Sequence, residues 1–274
     1  MTSTSNLVWT ALRLTGRDVL PLLHRTATQA LVELAPGGAR ATLLCDFKGR
    51  VQHRFVLSVA PDGAVWALRS DAPGAELAAA IDRMVFRDHV QIEDRTAALR
   101  VTLVAGTRDE VSATFTDDGV PLRVSTGDGT ALVVTPADAE PPVALSEPER
   151  IAMLHPRHGH ELVDAFNPFE LGLAHEVHLA KGCFTGQEAL QRLITYESVR
   201  RRPAHVRLSG APDKLPCEVI ANGAPAGILT SVSDHEGIAI ISRDALANAL
   251  ALTLANGVTL QVLEAPELAR PQGR

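Results

Sequence analysis

The chain has 274 residues, 46% of them hydrophobic, and a formal net charge of −6 at pH 7. That apolar content suits one large or two modest domains. The negative balance disfavours non-specific attachment to a nucleic-acid backbone, although a local basic patch stays compatible with it. No apolar run is long enough to span a bilayer, so no membrane partner is expected. Residues 1–6 are polar and uncharged and read as neither a secretory signal nor an Arg-rich transit peptide. Cys45, Cys183 and Cys217 are too few and too scattered for a disulfide framework or a zinc site, and a reducing cytoplasm fits them best. Lysine occurs only at Lys48, Lys181 and Lys214, which makes a lysine kept at 181 more telling.

In chain order, residues 8–14 alternate as a strand and end at Gly16. Asp18 is placed to cap a helix carrying Val19, Leu22 and Leu23, with Pro21 tolerated in its first turn. Residues 41–45 and 51–59 read as a hairpin about the turn Asp46-Phe47-Lys48-Gly49. A second turn at Pro61-Asp62-Gly63 leads into strand 65–68, whose Trp66 belongs to the core. Leu77, Ala80, Ile81, Met84 and Val85 have helical spacing over residues 73–86. Strands are expected at 89–92 and 99–104, and further strands and turns over 109–134. Residues 136–142 read as a loop, and Ser146 with Glu149 forms a capping-box pattern. Helices alternating with hairpin-linked strands argue for α+β with antiparallel sheets.

His155, His158, His160, His175 and His178 are spaced too loosely for a metal site and read as surface-turn histidines. Arg200-Arg201-Arg202-Pro203 marks a boundary. It reads as a solvated charge run, or as an anchor for the anionic tail of a ligand or an RNA phosphate. Beyond it, short strands at 204–208, 218–221, 226–232, 237–241 and 258–263, with the Asn222-Gly223 turn, predict a small β-barrel. Cys45 and Cys217 are read as structural.

The chemistry concentrates at Lys181-Gly182-Cys183-Phe184-Thr185-Gly186-Gln187-Glu188. Thr185 and Glu188 have capping-box spacing ahead of a helix whose Ala189, Leu190, Leu193 and Ile194 share one face. Cys183 then lies just before a helix start and beside Lys181, both of which favour a thiolate over an ordinary thiol.

This K-G-C-F-T-G-Q-E segment resembles the signature of the YgfZ family, folate-binding proteins of the glycine-cleavage T-protein (aminomethyltransferase) superfamily associated with iron–sulfur cluster assembly or repair. Gly16-Arg17-Asp18, Gly49-Arg50-Val51, residues 86–94, residues 167–173 and Gly227–Ser231 resemble further family stretches. The resemblance implies two intertwined ferredoxin-like halves around a central folate site within residues 1–203, then a C-terminal β-barrel over 204–274. It implies tetrahydrofolate, or a one-carbon derivative, as ligand and iron–sulfur proteins or cluster-assembly factors as partners, with the protein a monomer. It makes Cys183 the reactive thiol and Lys181 its electrostatic neighbour. Trp9 would stack on the folate, Glu170 would meet the pterin, and Gln187, Glu188 and Arg192 would complete the ligand-facing helix start. A second ligand-facing tryptophan of the family has no counterpart here. His53 aligns where the T-protein keeps its catalytic aspartate, which argues against glycine-cleavage aminomethyl transfer. The alternatives are a folate-dependent one-carbon transferase and a scaffold that has lost folate.

Overall fold

The computed structural model describes residues 9–273, apart from the side chains of residues 109 and 110. Val8 and residues 1–6, which carried expectations above, lie outside the described residues. The chain divides into two compact units that interleave along the sequence. One holds the chain up to Cys45, His53–Leu145 and Ala180–Thr185; the other holds Asp46–Gln52, Ser146–Leu179 and everything from Gly186 on.

The first unit is built on an antiparallel five-stranded sheet of β1 (Thr10–Thr15), β2 (Ala39–Cys45), β3 (Val51–Val59), β4 (Val65–Arg69) and β5 (Gln91–Asp94), in the order β2-β3-β4-β1-β5. Period-two alternation sorts its side chains cleanly. Leu12, Leu14, Phe55, Leu57, Val65 and Ala67 point to one face and meet α1 (Val19–Thr26) and α2 (Gly74–Asp82) through Leu22, Leu23, Leu77 and Ile81. Ala11, Val56, Trp66 and Leu68 point the other way, onto Val101, Val124, Leu132 and Val134 of a two-stranded ribbon. That ribbon, β6 (Leu99–Phe115) with β7 (Pro121–Pro136), is longer than the sequence suggests, because Gly106, Gly127 and Gly129 fall at register shifts instead of ending the strands.

Three local expectations need correction. Asp18 precedes α1 without a capping bond; its carboxylate accepts the His89 N–H at 2.8 Å. The helix expected to reach residue 86 stops at Asp82, and Met84 and Val85 only pack against the core from the following turn. The strand after it begins at Gln91.

In the second unit, α3 (Glu147–Ala152) starts on the full Ser146–Glu149 capping box. A single 3₁₀ turn (Ala174–Glu176) and α4 (Gln187–Thr195) follow, and the rest is a closed six-stranded barrel. It comprises β8 (Arg201–Leu208), β9 (Cys217–Ala221), β10 (Ala224–Ser233), β11 (Glu236–Ser242), β12 (Leu252–Thr253) and β13 (Thr259–Glu264). Asn222 and Gly223, both at positive φ (50° and 76°), make the expected two-residue hairpin between β9 and β10. The two-residue β12 and α5 (Arg243–Ala247) carry too little apolar periodicity to be read in advance.

Candidate functional site

The segment bearing Lys181 and Cys183 is fastened to the end of α1 by a reciprocal clasp. The Nδ1 atom of His24 accepts the N–H groups of Leu31 (3.0 Å) and Val32 (3.4 Å), so the ring proton sits on Nε2. Nε2 then donates to the Lys181 carbonyl at 2.8 Å, while the Lys181 ammonium donates to the His24 carbonyl. The same ammonium lies 4.8 Å from the centre of the buried Phe184 ring. Burial pushes the Lys181 pKa down to about 8, against an opposing pull from negative charge at Cys183. Gly182, at φ 112°, lets the chain swing between these side chains, and Cys183 is exposed. The arrangement offers a solvent-facing thiol beside an amine that is close to half neutral at mildly alkaline pH. Such a pair can attack an electrophile or exchange with a disulfide. By contrast Cys45 is buried, and burial together with Asp213 pushes the Cys217 thiol up.

The helix start differs from its sequence pattern. Thr185 and Glu188 do not form a capping box: Gly186, left-handed at φ 85°, is the residue ahead of α4, and no side chain caps it. A Cβ at Gly186 would stand 2.5 Å from the Asp46 carbonyl oxygen, and one at Gly49 would stand 3.0 Å from Leu190. The turn at 46–49 therefore packs on α4 through two glycines, an approach only glycine permits. Glu188, freed from capping, is exposed and pairs with Arg192 one turn on. Gln187 donates its amide to the Leu179 carbonyl at 2.8 Å. The expected apolar face is present, with Leu190 fully buried and Ala189, Leu193 and Ile194 half-buried.

Glu170 is an ion-pair hub. Its Oε1 accepts from Arg201 Nε at 2.8 Å, and its Oε2 accepts from Arg50 Nη1 at 3.2 Å and from the Asn167 N–H at 3.1 Å. Arg201 also lies over the Phe166 ring, 5.1 Å from its centre. Both carboxylate oxygens are thus engaged by the chain itself.

In the first unit, Trp9 is half-buried, with Nε1 donating to the carbonyls of Leu99 (2.6 Å) and Thr96 (3.2 Å). The Arg100 guanidinium stands 5.5 Å from its ring centre. Trp66 is a core residue as expected, 1% exposed. His53 Nδ1 faces Arg69 Nη1 at 3.2 Å and must accept, because a guanidinium only donates. Arg69 is itself buried and anchored on Thr10 (2.9 Å) and the Pro73 carbonyl (2.5 Å). Burial lowers its pKa, opposed by Asp71 and Glu76.

Sequence reasoning missed the polar network centred on Glu161, which is 1% exposed. Its Oε2 accepts from Arg150 (3.2 Å) and the Arg157 N–H (3.1 Å), and its Oε1 accepts from Thr230 (2.5 Å) and Ser231 (2.7 Å). Burial alone would lower the Arg150 pKa, but Glu147 and Glu161 together raise it. The available signal was Thr230-Ser231, singled out above only as part of a family stretch. His160 is held in the same network by Arg157 (2.7 Å) and Ser231 (3.2 Å), not on a free surface turn. Among the described residues, no group of three or more His, Cys, Asp or Glu is placed to hold a metal ion. Nor is any described helix long and apolar enough to cross a membrane.

Comparison with known proteins matches this architecture. The crystal structure of glycine cleavage system aminomethyltransferase T from Bartonella henselae superposes with a TM-score of 0.73, covering 96% of this chain and 85% of that one at 12% identity. The molecule therefore has a T-protein-like fold. Residues 200–268 match the family described as "CAF17, C-terminal beta-barrel domain". A relative from Arabidopsis thaliana, "Putative transferase At1g60990, chloroplastic", is 24% identical over 94% of this chain and 69% of its own length. The chain is thus similar to the T-protein in fold, to CAF17 in its barrel and to the Arabidopsis relative over most of its length.

Proposed function

We propose that this chain binds tetrahydrofolate, or a one-carbon derivative of it, and uses Cys183 to support the assembly or repair of iron–sulfur clusters in the cytoplasm. The observation that carries the reading is the exposed Cys183 thiol, on a segment clasped to α1 and beside a lysine of lowered pKa, in a chain of T-protein-like fold. The residues present are compatible with a folate. Trp9 is only half-buried, and an indole is a ring on which a pteridine can stack. Gln187 spends its NH₂ on Leu179 and keeps its amide oxygen for another donor. Glu188 and Arg192 are exposed, and Glu170 would act by holding Arg50 and Arg201 in place. Residues 1–203 form the folate-binding part in this proposal and 204–274 the barrel, in a monomer whose partners are iron–sulfur proteins or cluster-assembly factors. A bound folate supplies a one-carbon or redox-active pterin; the chain supplies the thiol and the neighbouring charge.

The deciding experiment is calorimetric titration of the full chain with tetrahydrofolate. Saturable binding is expected, weakened about tenfold by Trp9→Ala through lost stacking; no binding at high ligand concentration refutes the reading. Cys183→Ala should leave folding and folate binding intact but abolish fast labelling by a thiol reagent at neutral pH. Equal labelling of the wild type and a Cys183→Ala chain would show that the reactive thiol lies elsewhere. Lys181, with a pKa of about 8, should acylate at pH 8 well ahead of Lys48 and Lys214. Because its folded pKa lies below the unfolded value, stability should rise as the pH climbs from about 8 towards 10.

The names of the two similar proteins favour a second reading, a folate-dependent one-carbon transferase. It needs a carboxylate near the reactive nitrogens, and His53, bonded to Arg69, does not supply one. Turnover of an aminomethyl donor by the purified chain would establish it.

A further inference from the structure

Within the second unit, a cleft of about 1090 Å³ opens where the end of α4, the start of β8 and α5 meet. Arg50, Arg200, Arg201, Arg202 and Arg243 all line it. Their charge is unevenly countered. Arg50, Arg201 and Arg202 are the more sheltered, with 36%, 27% and 14% of the side chain exposed, and the one lining acid at comparable depth is Glu170, 6% exposed. Three guanidiniums thus stand against one carboxylate on the inner wall. The remaining lining acids, Glu197, Glu218, Asp244 and Glu267, are exposed and form the rim with Arg200 and Arg243, four carboxylates to two guanidiniums.

Glu267 shows how the inner wall treats an anion. Its side chain is 89% exposed, yet it reaches Arg202 Nη1 at 2.7 Å. The bond to Arg202, the Arg202 charge and then Arg243 hold its carboxyl below the usual range. Arg202 remains incompletely satisfied all the same: its Nε is buried and has no hydrogen-bond partner. A guanidinium offers donors on two edges in a fixed fork suited to carboxylate or phosphate, and the one long-armed glutamate uses only one of them.

We propose that this cleft binds the anionic group of a small carboxylate or phosphate compound, and that Glu267 occupies its place until the ligand displaces it. Arg202 is the principal contact, with Arg243 adding charge. The acidic rim works against an extended polyanion, so a compact head group is the fitting occupant and a nucleic-acid strand is not. The cleft shares Arg50, Arg201 and Glu170 with the folate proposal, but its test reads small anions through Arg202 and Glu267, so citrate or phosphate binding and tetrahydrofolate binding fail or succeed separately.

The test titrates the full chain with citrate and, separately, with inorganic phosphate, by calorimetry at low ionic strength. Saturable binding of either is expected, and which of them binds identifies a carboxylate or a phosphate ligand. Glu267→Gln, at an exposed position where it cannot endanger folding, should tighten binding about two- to fivefold, the worth of an exposed ion pair. Arg202→Gln should weaken it about tenfold. No saturable binding to the Glu267→Gln chain overturns the proposal, as does binding that Arg202→Gln leaves unchanged.

Discussion

Ser146 and Thr185 each stand three residues before a glutamate and just ahead of a helix, yet only Ser146 caps. Ser146 is extended (φ −71°, ψ 158°), its hydroxyl reaches the Glu149 N–H, and Glu149 Oε2 returns to the Ser146 N–H at 2.9 Å. At the second site the helix starts one residue later, on Gly186. The backbone of Asp46 comes so close there that a Cβ would stand 2.5 Å from its carbonyl oxygen. A contact between segments far apart in sequence has displaced the local cap. One helix start is set by side chains within four residues of each other; the other is set by where a distant turn must fit.

The largest effect should come from the polar network beside the locally capped helix. Glu161 is buried and joins Arg150, the Arg157 backbone and the hydroxyls of Thr230 and Ser231. Glu161→Ala leaves Arg150, itself 4% exposed, without a buried partner. Breaking such a pair costs about 3–5 kcal/mol, which urea denaturation would read as a lower midpoint at unchanged slope. A loss under about 1 kcal/mol would mean that Glu147, also bonded to Arg150, suffices alone. Next in size, Gly186→Ala puts an L residue at φ 85° and drives its Cβ against Asp46. Strain of this kind costs about 1–3 kcal/mol. Unchanged stability would show that the turn at 46–49 can withdraw, and the comparison of the two helix starts would lose its physical basis.

These two sites also mark what the sequence could and could not disclose. Alternation placed four of the five sheet strands and put Trp66 in the core, because a strand face is decided by immediate neighbours. The barrel was legible for the same reason, through short strands and the Asn222-Gly223 turn. Thr185-x-x-Glu188 misled because the same letters describe a cap only if the backbone is free to take an extended conformation. Glu161 stayed hidden because its partners at 230 and 231 lie about 70 residues away, beyond any spacing rule. The His24–Lys181 clasp joins residues 157 apart, and nothing around His24 announces it.

The smallest effects separate the two helix starts directly. Ser146→Ala should cost about 1 kcal/mol, the usual worth of an N-cap side chain. The Ser146 hydroxyl, then its N–H, hold the Glu149 carboxyl below its ordinary range. The contribution of the box is therefore present above the unfolded carboxylate pKa and is lost as the pH falls through the folded one. Thr185→Ala removes a hydroxyl from an identical sequence pattern but from no cap, and should change stability by less than about 0.5 kcal/mol. Neither substitution alone is decisive; the pair is, because the two mutants delete the same hydroxyl-bearing cap letter from the same spacing. Equal losses at both positions would mean that α4 is capped by Thr185 after all and that the close approach at Gly186 relaxes in solution. A loss at Ser146 alone, fading on acidification, is what a cap set locally at one helix and displaced by tertiary contact at the other requires.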